Sequence, residues 1–244
     1  MTDRVPGIRA QLNFAGKMKL NSSIMRVVQC WDDGVDADVR LIEILQRHAA
    51  KATFNLNAGL HEKRRKAAWV YEGTQVSKLG WDEMRDVYDG FTIANHSLSH
   101  PYLERISIED ARRDIEEGRD RLQQFFGQAV LGFAYPYGTY NKAVAEAIRE
   151  AGHVYARTVR NVEQPFPPAD AMEFHPCCHF QAEDLWERYE KARSGGVFYF
   201  WGHSYEIINE SMWAAFEEII ERISNDPAAR WSDVADLFTD SDAG

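Results

Sequence analysis

The chain is short of basic residues: 28 Lys and Arg stand against 38 Asp and Glu, a formal net charge of −10 over 244 residues. That balance excludes a general nucleic-acid binder and argues against docking on an anionic membrane. Uncharged apolar runs of membrane-spanning length are absent, and residues 1–23 lack the apolar core of a signal peptide. The expectation is a soluble, cytoplasmic protein with no membrane insertion. Cysteine is scarce. Three residues, with Cys177 and Cys178 adjacent, make no disulfide framework and agree with a reducing compartment. Sequence repeats and low-complexity segments are also missing. What remains is 45% apolar, enough to bury a full core in one domain.

Apolar runs alternate with helical periodicity along most of the chain. Strands are predicted at Val27 to Trp31, Lys51 to Leu56, Phe91 to Ala94, Val130 to Tyr135, Val154 to Val159, Met172 to Cys178 and Gly196 to Trp201. Helices are predicted at Ala37 to His48, Trp81 to Tyr88, Ile108 to Phe126, Asn141 to Ala151, Glu183 to Arg193, Met212 to Ile223 and Ser232 to Phe238. Residues 1–23 are polar and aperiodic and read as an N-terminal arm, leaving 24–244 as a single domain. Gly59 to Leu79, with its basic H-E-K-R-R-K run, reads as a solvated surface excursion or lid. Strand-helix alternation implies parallel strands joined by crossover helices. Seven or eight such units make an α/β fold that is a closed or nearly closed barrel, with its chemistry at the C-terminal strand ends.

Residues able to do chemistry fall at those ends. Met25 to Gly34 runs from an apolar strand into Asp32, Asp33 and a turn-permitting Gly34. Adjacent side chains on a strand face opposite ways, so the two carboxylates can take different tasks only where the strand has ended. His96 and His100 stand four apart, within one helical turn, which Pro101 limits to a single turn. Two imidazoles and one carboxylate suffice to hold a divalent metal with positions left open. Tyr137, Arg157 and His203 also follow apolar runs. His175-Pro-Cys-Cys-His179 is too tightly spaced for a four-ligand zinc site and reads as rim or core packing.

The ordered set W-D-D-G (31–34), N-H-S-L-S-H (95–100), F-A-Y-P-Y-G (133–138) and F-W-G-H (200–203) resembles the polysaccharide deacetylase family, carbohydrate esterase family four, with its NodB homology domain. The resemblance implies a distorted (β/α) barrel, TIM-barrel-like, with residues 24–244 as one catalytic domain. It implies a hydrolase that removes N-acetyl groups from sugars with metal-activated water. Asp33, His96 and His100 would be the metal ligands, usually for zinc, with cobalt, nickel, manganese or iron as alternatives. Asp32 would be the general base, Tyr137 would give a backbone N–H to the oxyanion, and His203 would protonate the leaving amine.

Three departures stand out. Trp31 replaces the usual Phe, a change that an apolar position should tolerate. Ala134 and Tyr135 stand where relatives carry Arg then Pro, so the cation that orients the catalytic aspartate is missing; Arg157 is the candidate replacement. The family's aspartate-rich fourth motif is not recognisable, and neither Asp170 nor Glu173 is singled out as the support of His203. The substrate is expected to be a carbohydrate or, by the same mechanism, a small, cyclic or formyl amide. Aromatic residues on the presumed rim (Trp69, Tyr71, Tyr140, Tyr205) could stack on sugar rings. Two other readings are an iron oxygenase, which the spacing of Asp33 from the histidines and the α/β pattern disfavour, and a binding homologue without catalysis.

Overall fold

The computed structural model describes residues 24–239; the expected N-terminal arm lies outside them. Among the described residues ten strands form: β1 (Met25–Asp32), β2 (Thr53–Leu56), β3 (Lys66–Tyr71), β4 (Thr74–Lys78), β5 (Thr92–Asn95), β6 (Gly132–Ala134), β7 (Tyr155–Arg157), β8 (Cys178–His179), β9 (Val197–Gly202) and β10 (Ala229–Trp231). The helices are α1 (Asp38–Arg47), α2 (Trp81–Val87), α3 (Ile108–Phe126), α4 (Lys142–Glu150), α5 (Leu185–Gly195), α6 (Glu210–Ser224) and α7 (Asp236–Thr239). Among the described residues, no helix is long and apolar enough to cross a membrane.

The main sheet runs β7-β6-β5-β2-β1-β9-β8, all parallel, and curls into a half-barrel with helices outside. β1 is central because its residues are apolar on both faces; seven of its eight are buried. Its first three residues pair with β10, and its last three pair with β2 on the strand's C-terminal half. Trp31 is fully buried, 5.1 Å from the Phe180 ring and 5.2 Å from Phe216, so the larger ring is accommodated inside the core. α3 starts where the Ser107 side chain accepts the Asp110 N–H and stops at Gly127 in left-handed backbone (φ 69°).

The structure departs from the sequence expectations in four places. The excursion over residues 59–79 holds an antiparallel hairpin, β3 with β4, whose Val76, Lys78 and Leu79 are buried. Its two-residue turn is Glu72-Gly73, both at positive φ, as tight hairpins require. Met172 to Cys178 is not one strand. Ala171–Glu173 is a 3-10 turn; Phe174 bonds to β7 through the Ala156 carbonyl, and Cys177 bonds to β9 through the Tyr199 carbonyl. One segment spanning two sheet edges cannot ladder along either, which leaves only the two-residue β8. The last expected helix, Ser232 to Phe238, shortens to α7 behind the unforeseen β10. Finally, His96 and His100 are not on a helical turn: Ser97 (φ 65°) and His100 (φ 56°) are left-handed.

Candidate active site

Asp32 ends β1 and is 2% exposed. Its cross-strand neighbour Asn55 donates Nδ2–H to Oδ1 at 2.7 Å, and Arg157 Nη2, from the end of β7, donates to Oδ2. Burial alone would raise this carboxyl's pKa; the Arg157 guanidinium, with His96 and His203, more than reverses that, and it titrates below the usual range. Arg157 is itself buried and lies 4.6 Å from the Trp201 ring. A cation therefore reaches Asp32 from a strand four places from β1, where the family pattern would have one at position 134.

Past the strand end, Asp33 takes a left-handed conformation (φ 84°), so the extended geometry of β1 stops at Asp32. Gly34 must also be left-handed (φ 64°), and a Cβ there would meet His61 Cε1 at 2.7 Å. Lys78, buried on the hairpin, donates to the Asp33 carbonyl, to Asp33 Oδ1 at 3.2 Å and to Asn57 Oδ1 at 3.1 Å. Burial opposes ionisation of Asp33, but Lys78 and the nearby histidines hold its carboxyl well below the ordinary value.

His96 follows β5 directly and donates Nδ1–H to the Ala134 carbonyl at 2.8 Å, leaving Nε2 as the lone-pair nitrogen. Burial pushes its pKa down to about 4, so that lone pair is free at neutral pH. The loop to His100 is pinned from α3 by Asp114, whose carboxylate accepts the Leu98 N–H at 2.8 Å. His100 N–H bonds Ser97 Oγ at 2.9 Å. Ligand atoms of Asp33, His96 and His100 lie within 4.8 Å of one another. One ionised oxygen and two neutral imidazoles, one with its tautomer fixed, fit an open zinc or cobalt site.

His203, one residue past β9, faces this group: its Nε2 is 3.8 Å from Asp32 Oδ2 and 3.9 Å from Asp33 Oδ2. Tyr137 sits in left-handed backbone (φ 58°) after β6, its exposed ring stacked on Tyr102 at 3.8 Å and edge-on to His100 at 4.5 Å. The site residues expected from the sequence thus share one rim.

The sequence reading missed Asn55, Lys78, Glu206 and His179. Glu206 Oε1 lies 3.4 Å from His203 Nδ1, and its Oε2 accepts from His203 N at 3.1 Å and from His179 Nε2 at 2.8 Å. Glu206 stands in capping-box position to His203, but with histidine rather than Ser, Thr, Asp or Asn first the sequence carries no capping signature. Asp170 is taken up by Arg149 instead. Cys177 and Cys178 are buried and free, as packing predicts, but His179 is not mere packing. Of the rim aromatics, Trp69 and Tyr71 on the hairpin meet Tyr205 at 5.2 and 5.1 Å, while Tyr140 stacks on Tyr135 away from them.

A curled parallel sheet with acidic and imidazole groups at its C-terminal rim defines a distorted (β/α) barrel with a candidate metal-binding rim. The polysaccharide deacetylase family model matches residues 19–156, more than half of the chain, and the protein belongs to that family. It is 29% identical over 125 residues to a peptidoglycan-N-acetylglucosamine deacetylase of Bacillus cereus, covering 50% of this chain and 51% of that one. The chain therefore spans about half the length of this curated relative. Two solved structures share the fold. One is the Xyl-CE4 domain of a multidomain xylanase from the hindgut metagenome of Trinervitermes trinervoides (TM-score 0.57, 19% identity, 88% of this chain and 89% of that chain). The other is a family 4 acetyl xylan esterase from Clostridium thermocellum, solved with a cobalt ion (TM-score 0.56, 18% identity, 88% and 90%).

Proposed function

We propose that the protein is a metal-dependent hydrolase that removes an N-acetyl group from a carbohydrate. The observation that carries this reading is the Asp33, His96 and His100 donor group flanked by ionised Asp32 and by His203. A divalent cation held by Asp33, His96 and His100, zinc or cobalt, supplies Lewis acidity to the acyl carbonyl and lowers the pKa of water. Asp32, kept ionised by Arg157, accepts the proton of the attacking water. The Tyr137 backbone N–H donates to the developing oxyanion. His203 Nε2 gives its proton to the leaving amine, without which an amide nitrogen is a very poor leaving group. Trp69, Tyr71 and Tyr205 form an aromatic wall next to His203, 4.9 Å from the Tyr205 ring, suited to the flat face of a sugar.

The test is acetate release from N-acetylglucosamine oligomers by chelator-stripped protein, with and without added zinc or cobalt. Release is expected only with metal, and Asp32→Asn should lower kcat by about 10²- to 10⁴-fold. Release from small amides but from no acetylated sugar would move the substrate and keep the mechanism. Tight metal binding with no release from either class would leave a binding homologue in its place.

A further inference from the structure

Among the described residues a second group, His179, Glu206 and His203, also brings three ligand atoms within 4.8 Å of one another. It is either a second cation site or a hydrogen-bonded support for His203, and the imidazole protons distinguish the two. The Gln181 backbone N–H points to His179 Nδ1 at 3.3 Å. A backbone nitrogen can only donate, so Nδ1 is the lone-pair side and the proton of the neutral ring is on Nε2. That Nε2–H is aimed at Glu206 Oε2, 2.8 Å away. A cation placed there would meet a proton where it needs a lone pair. Glu206 Oε2 also accepts the His203 N–H at 3.1 Å, so two donors fix the carboxylate. Its other oxygen is thereby left 3.4 Å from His203 Nδ1, a buried nitrogen with no other partner. With Nδ1 turned to Glu206, the opposite nitrogen of the ring faces Asp32 and Asp33.

We infer that Glu206, held in place by His179, is the positioning residue that orients His203, and that this group is not a second metal site. The inference rests on the reading of His203 as the proton donor to the leaving amine. The support comes from the 3-10 turn (Ser204–Glu206) that directly follows His203 and from the end of β8, and not from the 170–173 segment.

Kinetics of the zinc-loaded protein and two activity-independent readouts test it together. Glu206→Gln should lower kcat about 10- to 100-fold with KM and zinc affinity unchanged. His179→Leu should lower kcat in the same way, and His179→Gln, which keeps an N–H donor for Glu206, should recover most of it. The double variant Glu206→Gln/His179→Leu should be no slower than Glu206→Gln, because both act through one imidazole. Losses confined to KM, or losses that multiply in the double variant, would overturn the inference. Independently of turnover, zinc titration of the wild-type chain should end at one equivalent, and imidazole ¹⁵N shifts should report His179 as the Nε2–H tautomer. A second equivalent lost in His179→Leu, or the Nδ1–H tautomer, would reject it. A chain that hydrolyses no amide would refute the proposed function, while these last two readouts would still decide the geometry.

Discussion

Asp32 and Glu206 are both carboxylates beside His203, yet they are held in opposite ways. Asp32 is buried at the end of β1, with a fully buried guanidinium on one oxygen and the Asn55 amide on the other. The Glu206 side chain is 16% exposed and that of its partner His179 is 24% exposed. The histidines follow suit. Burial drives His96 down to about 4, whereas at His203 burial is outweighed by Glu206, Asp32 and Asp33, and its pKa is raised. Glu206 itself is held down to about 2, burial being outweighed by its bonds to His179 and His203. Where water is excluded, each partner cancels a desolvation penalty and becomes part of the fold's stability. Near solvent, water replaces a lost partner at little cost, and the contact matters for orientation. The two sides of one rim therefore differ in how much of the fold's stability rests on them.

Arg157→Met should break the comparison most visibly. It leaves Asp32 as a buried charge without its cation and should cost about 3–5 kcal/mol. For a chain of this length that lowers Tm by roughly 10 °C. Adding Asp32→Asn removes the stranded charge, so the double variant should be less destabilised than the two single losses summed. Urea unfolding of the four proteins measures this. A loss under about 1 kcal/mol for Arg157→Met would mean that the buried side is no more committed than a surface pair.

Asp32, Asp33, His96, His100, Tyr137 and His203 were legible because each stands at or shortly after the end of an apolar strand, and parallel strands bring their C-terminal ends to one rim. Arg157 was legible for the same reason, as a cation ending β7. The partners of these groups were not. Asn55 meets Asp32 through strand register, and Lys78 reaches Asp33 only because the hairpin folds back beside Val35. The basic run ahead of it, mostly exposed, made the whole stretch look solvated, although the alternation around Glu72-Gly73 carried a hairpin signal. His179 and Glu206 meet through the two-residue β8 and a 3-10 turn, elements too short to leave a period in the sequence. The strap over 174–179 defeated the strand reading because it serves two sheet edges.

The buried side should also set the acid limit of stability. His96, His61 and His153 are pushed down by burial to about 4, 4 and 3, below the unfolded value of 6.5. The unfolded chain then binds protons first, so their contribution is complete above pH 6.5 and drains away as pH falls through the folded values. The slope is about 1.4 kcal/mol per pH unit per histidine. His203, raised above 6.5, contributes with the opposite sign: fully present below 6.5 and lost as pH rises through its folded value. In metal-free protein, the stability difference between wild type and His96→Asn should shrink on acidification from pH 7 to pH 5. The difference for His203→Gln should grow over the same range. Two differences moving in the same direction would show that the two sides are electrostatically alike.

The smallest expected effect sharpens the comparison most. Glu206→Gln removes one carboxylate charge from between two partly buried imidazoles, and the amide oxygen that replaces it can still accept from His179 and from the His203 backbone. Glu206 and His179 keep some contact with solvent, so the stability loss should lie nearer the scale of an exposed pair, about 1 kcal/mol, than that of Arg157→Met. Any loss should shrink further in high salt, which screens a partly exposed pair more than the buried Asp32–Arg157 pair. Denaturant midpoints at low and high ionic strength, compared with those of Arg157→Met, read this directly. A loss near that of Arg157→Met, insensitive to salt, would place Glu206 among the groups that hold the barrel together and would remove the physical distinction between the two carboxylates.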